Sequence, residues 1–208
     1  MKNILNPTKF IYGFVEKLIA KYQHLAHGKL IDVGCGSKPF KHIFTNIDSY
    51  YGVDIVENSE ADLICDVQKL EIEDNSADTI LSTQVIEHVP EPNVLMREIS
   101  RICKKGGIVL LTAPFLCRIH GEPHDFFRFT RFGLKHLFEK NGFEIIAIEQ
   151  DGGFFHSMTF LTNFYLKQEL GRLSYAINPL IDLLYLIIRC FDRNKNYAFM
   201  YLVVAKKI

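Results

Sequence analysis

The chain has 208 residues, enough for one domain of ordinary size. With 48% hydrophobic and 23% charged residues it can bury a core, which excludes a chain disordered by composition. Lysine plus arginine and aspartate plus glutamate balance at 24 each, and zero net charge argues against a general nucleic-acid binder, which needs a basic excess.

Residues 8 to 26 repeat Phe10, Phe14, Leu18, Tyr22 and Leu25 at three- and four-residue steps, which predicts an amphipathic helix. A short buried strand is expected over 29–33. Two more follow, "YYGVDI" (50–55) and "ADLICD" (61–66), each closed by an acid, and "ADTILST" (77–83) is a fourth. "EPNVLMREISRICKKGG" predicts a helix with Pro92 in its first turn, Leu95, Ile99 and Ile102 on one face, and Gly106 at its end. "KKGG" (104–107) then reads as a solvated helix end before the fifth strand, "GIVLLTAPF". Thr130 is placed to cap a helix that stops at Asn141-Gly142. "FEIIAIEQ" and "FMYLVVAKK" are the sixth and seventh strands.

Strands alternating with helices imply a mostly parallel sheet with helices on both faces. The expected divisions are an N-terminal helix (1–28), a core (29–152), a helical insertion (153–192) and a final strand (193–208). The insertion far exceeds the usual connection of ~4–6 residues. Its apolar residues call for a cover, and two helices forming a wall of the acceptor site are expected, with a dimer contact or a membrane surface as alternatives. Within it, "INPLIDLLYLIIRCF" is interrupted by Asn178, Pro179, Asp182 and Arg189, which argues against a membrane span. The start, "MKNILNPTKF", meets Pro7 and Lys9 before any apolar run, so no signal peptide is expected. Five cysteines, odd in number and without C-x-x-C spacing, read as reduced thiols of a cytoplasmic chain.

"LIDVGCGSKPF" (30–40) carries the chemistry. In an open α/β sheet, ligands bind at the carboxyl ends of the strands. There Gly34-x-Gly36 lets backbone N–H groups approach a ligand closely. The third glycine of a pyrophosphate-binding loop is missing. Asp32, inside the strand, suits a positively charged ligand, and Asp54, ending the next strand, suits ribose hydroxyls. The expected ligand has a ribose and a cationic group, and no diphosphate.

With "YGVDI", "CDVQKLEIEDNSADTILSTQVIEHV" and "RICKKGGIVLLTAPF", this stretch resembles the successive motifs of class I S-adenosylmethionine-dependent methyltransferases of the type-11 kind. The resemblance covers about residues 29–150 and the last strand. It implies a Rossmann-like three-layer α/β sandwich with seven mostly parallel strands, the last antiparallel. It also implies that Gly34 and Gly36 line the methionine and ribose of the cofactor, with Asp32 nearby. Asp54 would hold the ribose, Asp66 and Val67 the adenine, and Gln84 the methionine amine.

Methyl transfer chiefly needs alignment, with a base only where the acceptor holds a proton. Glu87 and His88 follow the fourth strand, a pair that often belongs to the family's shared scaffold; His88 is also a catalytic candidate. In "RIHGEPHDFFRFT" (118–130), His124 is a candidate base oriented by Asp125, and Arg128 and Phe127 are candidate acceptor contacts. The alternative is a loop latch in which Arg128 pairs with Asp125 or Glu122. His120, His124 and Asp125 have metal-ligating types, but no register or further His/Cys cluster supports them, and no metal is expected. The acceptor expected is a small molecule or a lipid- or sugar-linked metabolite, methylated at oxygen, since histidine and acid candidates for a base are present and an N-P-P-Y-type run is not. The protein is expected to be a monomer or homodimer that binds no nucleic acid. A regulatory protein that keeps the fold without catalysis is the rival, and a nicotinamide dehydrogenase a distant third.

Overall fold

Apolar strand residues alternate in direction, and this splits the core into two layers around one sheet. Ile31 and Val33 of β1 (Lys29–Val33) face one layer, Leu30 the other. The computed structural model describes residues 7–192, 194 and 196–208. The expectation of no signal peptide falls partly on residues 1–6, outside the described residues.

Helix α1 (Pro7–Tyr22) precedes β1, and β2 (Ser49–Asp54), β3 (Leu63–Ile64) and β4 (Ala77–Thr83) follow. Next come α2 (Pro92–Ile102), β5 (Cys103–Pro114), α3 (Arg131–Lys140) and β6 (Phe143–Asp151). Helices α4 (Phe154–Leu170) and α5 (Ser174–Ile188) occupy the expected insertion before β7 (Met200–Lys207). The seven strands form one sheet in the order β3-β2-β1-β4-β5-β7-β6. All pairs are parallel except those of β7, which runs antiparallel to β5 and β6. Leu95, Met96 and Ile99 of α2 and Leu134 and Phe138 of α3 pack into one layer; Val15, Leu18 and Ile19 of α1 and Phe160 of α4 pack into the other.

Two boundaries differ from expectation. Helix α2 ends at Ile102, not at Gly106, and "CKKGG" already belongs to β5. Cys103, fully buried, pairs with Ala77, and Lys104 Nζ meets Asp78 Oδ1 at 2.7 Å, so the edge of β4 draws the chain out of the helix. Strand β3 is two residues, not six. Backbone bonds to β2 persist at both ends, from the Asp62 amide to Gly52 O and from the Cys65 amide to Asp54 O, but Asp66 accepts the Gln68 amide at 2.8 Å and turns the chain away from the sheet.

The insertion folds as a hairpin at Gly171. Phe160 anchors α4 on Phe199, with ring centroids 4.8 Å apart, and Arg118 of the loop after β5 lies over Phe164 at 3.5 Å. Helix α5 packs on α4, where Asn163 donates to Asp182 at 2.6 Å. Its outer face is uncovered, with Leu180, Leu183, Leu184 and Ile187 all exposed. Helix α4 therefore borders the loop after β5, and α5 packs against α4 with its outer face open. Taken as one stretch, Phe154–Phe191 has the length and apolar composition of a membrane span, with 6% of its most apolar window buried, but the turn at Gly171 divides it into two shorter helices.

Candidate active site

Strand β1 ends in a turn that β2 secures. The amides of Gly34 and Cys35 both donate to Val53 O, at 2.8 and 3.0 Å. Gly34 has φ +79°, and a Cβ there would lie inside the Val85 side chain, so the turn is locked against the loop after β4. Gly36 has φ +50°, and a Cβ there would meet nothing within 4 Å, so its surroundings are open. Asp54 binds across this opening. Its Oδ2 accepts the Gly36 amide at 2.7 Å and its Oδ1 the Val56 amide at 2.9 Å.

Asp32 is 1% exposed. The Tyr50 hydroxyl donates to its Oδ2, while Oδ1 has no donor among the described residues. Burial pushes its carboxyl up to about 7, with the Tyr50 hydrogen bond pulling down and the Asp54 charge pushing up. Cys35, between the two glycines, is pushed up to about 12 by burial and by the same acids. Its thiol is therefore protonated and inert at neutral pH.

Val67 belongs to the core, while Asp66 is exposed and caps the turn after β3. Gln84 leaves β4 with φ +55°, a conformation rare for a residue with a side chain. Its Nε2 donates to Thr112 Oγ1 at 3.1 Å, so the side chain is directed to β5. Sequence reasoning passed over Ile55 and Val56, which stand 64% and 56% exposed directly after Asp54. Two apolar side chains in water beside a strand-end acid were the available signal.

The loop between β5 and α3 is built on an ion pair. Arg128 donates to both oxygens of Asp125, at 2.6 and 2.7 Å, and to the carbonyls of Cys117, Arg118 and Phe127. This fork holds the Asp125 carboxyl down at about 2. Asp125 also accepts the His120 amide at 2.7 Å, with His120 Nδ1 at 3.5 Å. The expected roles thus change: Asp125 orients His120 and not His124, and the Arg128 guanidinium is committed to the latch and not to an acceptor. His124 is exposed, and its carbonyl holds Nδ1 of His88. Phe126 and Phe127 stand partly exposed beside it.

Beneath this loop the structure gathers a group that the sequence did not disclose. Glu87 is fully buried, and its carbonyl accepts the amides of Phe126 and Phe127 at 2.8 and 3.3 Å. Its Oε1 lies 3.8 Å from His88 Nε2 and 3.7 Å from His120 Nε2. The nearby side chains of Cys117 and then Glu87 favour the charged form of His120 and raise it to about 10.

A glycine turn and two strand-end acids at the carboxyl edge of such a sheet define the nucleoside-binding end of a Rossmann-like protein. The chain belongs to the methyltransferase domain family, whose pattern matches residues 8–148. It is 34% identical over 96 residues to Phosphoethanolamine N-methyltransferase 2 of Caenorhabditis elegans, a match covering 46% of this chain. The chain spans about a fifth of that relative's length, 21%. Its fold is similar to that of a SAM dependent methyltransferase from Archaeoglobus fulgidus, with TM-score 0.62, 18% identity and 94% of each chain covered. It is also similar to the [4+2]-cyclase SpnF, with TM-score 0.61, 20% identity, and 93% of this chain and 80% of that one covered. One of these two is named a cyclase, so the shared fold alone does not name a reaction.

Proposed function

We propose that this chain transfers a methyl group from S-adenosylmethionine to a hydroxyl oxygen of an acceptor with a lipid-like part. The observation that carries the reading is the open space at Gly36, flanked by Asp54 and by the unmatched Oδ1 of Asp32. These residues fit the cofactor's ribose and positive charge and offer nothing for a diphosphate. When bound, S-adenosylmethionine supplies an electrophilic methyl carbon on a positive sulfur, and transfer releases S-adenosylhomocysteine and the hydroxyl proton.

Each Asp54 oxygen uses one lone pair on a backbone amide and keeps another for a ribose hydroxyl. Ile55, Val56 and Val67 give the adenine apolar cover, and Asp66 lies at its edge. Asp32, buried and near its titration point, favours a positively charged ligand. Gln84, held by Thr112, presents its backbone at the methionine end. On the acceptor side, the Asp125–Arg128 latch fixes the loop bearing His120, and Phe126 and Phe127 offer an apolar contact that excludes water. The expected base His124 is replaced by the group that the latch positions, Glu87, His88 and His120.

Helix α5 favours a lipid-linked acceptor. Between Ser174 and Ile188 the one charged residue is Asp182, and it is tied to Asn163 of α4. The outer face, with Tyr175, Leu180, Leu183, Leu184 and Ile187, therefore meets water without a charge. At 1.5 Å per residue, α4 and α5 are about 25 and 22 Å long, short of the ~30 Å hydrocarbon core, so the hairpin suits lying on a bilayer better than spanning it. Scattered cysteines, odd in number, suit the reducing, cytoplasmic face of such a membrane.

The test supplies S-adenosylmethionine with a labelled methyl to the full chain, together with a total lipid extract or an aqueous metabolite extract. Label in the lipid fraction as a base-stable methyl ether is expected. Label confined to the aqueous fraction, or carried on an amine, overturns the acceptor assignment.

A further inference from the structure

We propose that Glu87, His88 and His120 bind a divalent transition-metal ion that takes the acceptor hydroxyl. Each of the three offers one ligand atom, and these atoms lie within 4.8 Å of one another. The Glu87 Oε1 separations of 3.8 Å to His88 Nε2 and 3.7 Å to His120 Nε2 are too long for hydrogen bonds. They are near the spacing of about 3.4 Å expected for two ligands held about 2.1 Å from a shared tetrahedral ion.

The surroundings call for a cation. The Glu87 side chain is 0% exposed, and neither oxygen has a hydrogen-bond donor among the described residues. A buried carboxylate in that condition is heavily penalised unless a positive charge answers it. A proton on His120 answers one oxygen at most, and leaves the other oxygen and Nε2 of His88 without a hydrogen-bond partner among the described residues. A metal ion in the proton's place serves all three residues.

The histidines are oriented as ligands are. Nδ1 of His88 faces the His124 carbonyl, and Nδ1 of His120 faces the Arg118 carbonyl at 3.2 Å. A carbonyl accepts, so Nδ1 of His88 carries its hydrogen. Nδ1 of His120 faces the Arg118 carbonyl and Asp125 Oδ2, with the Arg128 guanidinium also near it at 3.4 Å. With its hydrogen on Nδ1, each ring leaves Nε2 for Glu87 and an ion. Asp125, held by Arg128, lies behind His120 as the outer carboxylate of a metal-ligating histidine does. The two rings meet edge-on, 82° apart.

Two imidazoles and one carboxylate suit zinc, manganese or iron, and three protein ligands leave a position for an outside oxygen. His88 and His120 are 29% and 28% exposed, so the site has an open side. Val85, packed against Gly34, places the same loop beside the cofactor turn. An ion here would bind the hydroxyl oxygen and ease release of its proton to water. That oxygen then forms the bond to the methyl carbon, and the C–S bond breaks with its electron pair on sulfur. This role rests on the methyltransferase reading, whereas binding of the ion does not.

The test titrates the chelator-stripped full chain with Zn²⁺ and with Mn²⁺ by calorimetry, beside Glu87→Gln, His88→Asn and His120→Asn, with S-adenosylmethionine binding measured on each. One ion per wild-type chain is expected, weakened about a hundredfold or more in each variant while cofactor affinity stays within a few-fold. A wild-type chain that binds the cofactor and neither ion overturns the metal site. Equal ion affinity in all three variants also overturns it, by placing the ion elsewhere. A wild-type chain that binds the ion through these residues but no cofactor supports the site and counts against the proposed function.

Discussion

Asp54 Oδ2 accepts the Gly36 amide at 2.7 Å, so the acid that ends β2 holds the turn that follows β1. Asp54→Asn keeps the size of the side chain and removes its charge. S-adenosylmethionine and S-adenosylhomocysteine are both expected to bind ten- to a hundredfold more weakly, about 1.5–3 kcal/mol, by calorimetry. Unchanged affinity would remove Asp54 from the ribose.

The two glycines should fail differently. Gly34→Val drives a branched side chain into Val85 at positive φ, and its thermal melt should show loss of the fold. Gly36→Asn places a residue that tolerates positive φ into open space. Its melt is expected to stay within a few degrees of wild type while cofactor binding is lost. Wild-type affinity in Gly36→Asn would make the turn no more than a turn.

Asp32 gives a pH dependence. Its carboxyl lies at about 7 in the unliganded protein, among Tyr50, Asp54, Cys35 and Lys38. A cationic ligand favours its charged form, so affinity should rise with pH up to about 7, by at most about tenfold per unit. In Asp32→Asn this slope is expected to vanish. Stability runs the opposite way. The folded carboxyl sits above its unfolded value of 3.8, so its contribution is present below 3.8 and is lost as pH rises through about 7. Unliganded Asp32→Asn should therefore melt higher than wild type at pH 8, and a lower melt would contradict the burial penalty.

What the sequence disclosed was local. Asp32, Gly36 and Asp54 sit at strand ends, where one residue's register fixes its position, and β4 falls on the residues that alternation and burial select. The start of β5 was hidden because Cys103 leaves α2 only through its pairing with Ala77, across the sheet. The Glu87–His88–His120 group was hidden for a similar reason. Two loops must fold together before His120, and not His124, turns towards Glu87. No spacing within one loop records that choice.

Arg128 and His124 should separate latch from catalyst. Arg128→Lys cannot keep both hydrogen bonds to Asp125, and a loss of about 1.5–3 kcal/mol is expected in denaturant melts. His124→Ala removes an exposed ring and is expected to change stability by less than about 0.5 kcal/mol. Equal losses would show that the latch does not hold the loop.

The hairpin can be tested on vesicles. Leu183→Glu with Ile187→Glu alters two exposed residues of α5 and should leave cofactor affinity unchanged. Wild type is expected to float with phospholipid vesicles and the double variant to remain in solution. A wild-type dimer that ignores vesicles, and that the double variant breaks, would assign the face to a second copy of the chain.

The most direct measurement is a calorimetric titration of the purified chain with S-adenosylmethionine, S-adenosylhomocysteine and NAD. One equivalent of each of the first two should bind, in competition with each other, and NAD should give no heat. A folded chain that binds neither up to ~1 mM, about −4 kcal/mol, or that binds NAD instead, would contradict the assignment of this sheet edge to a methyl donor.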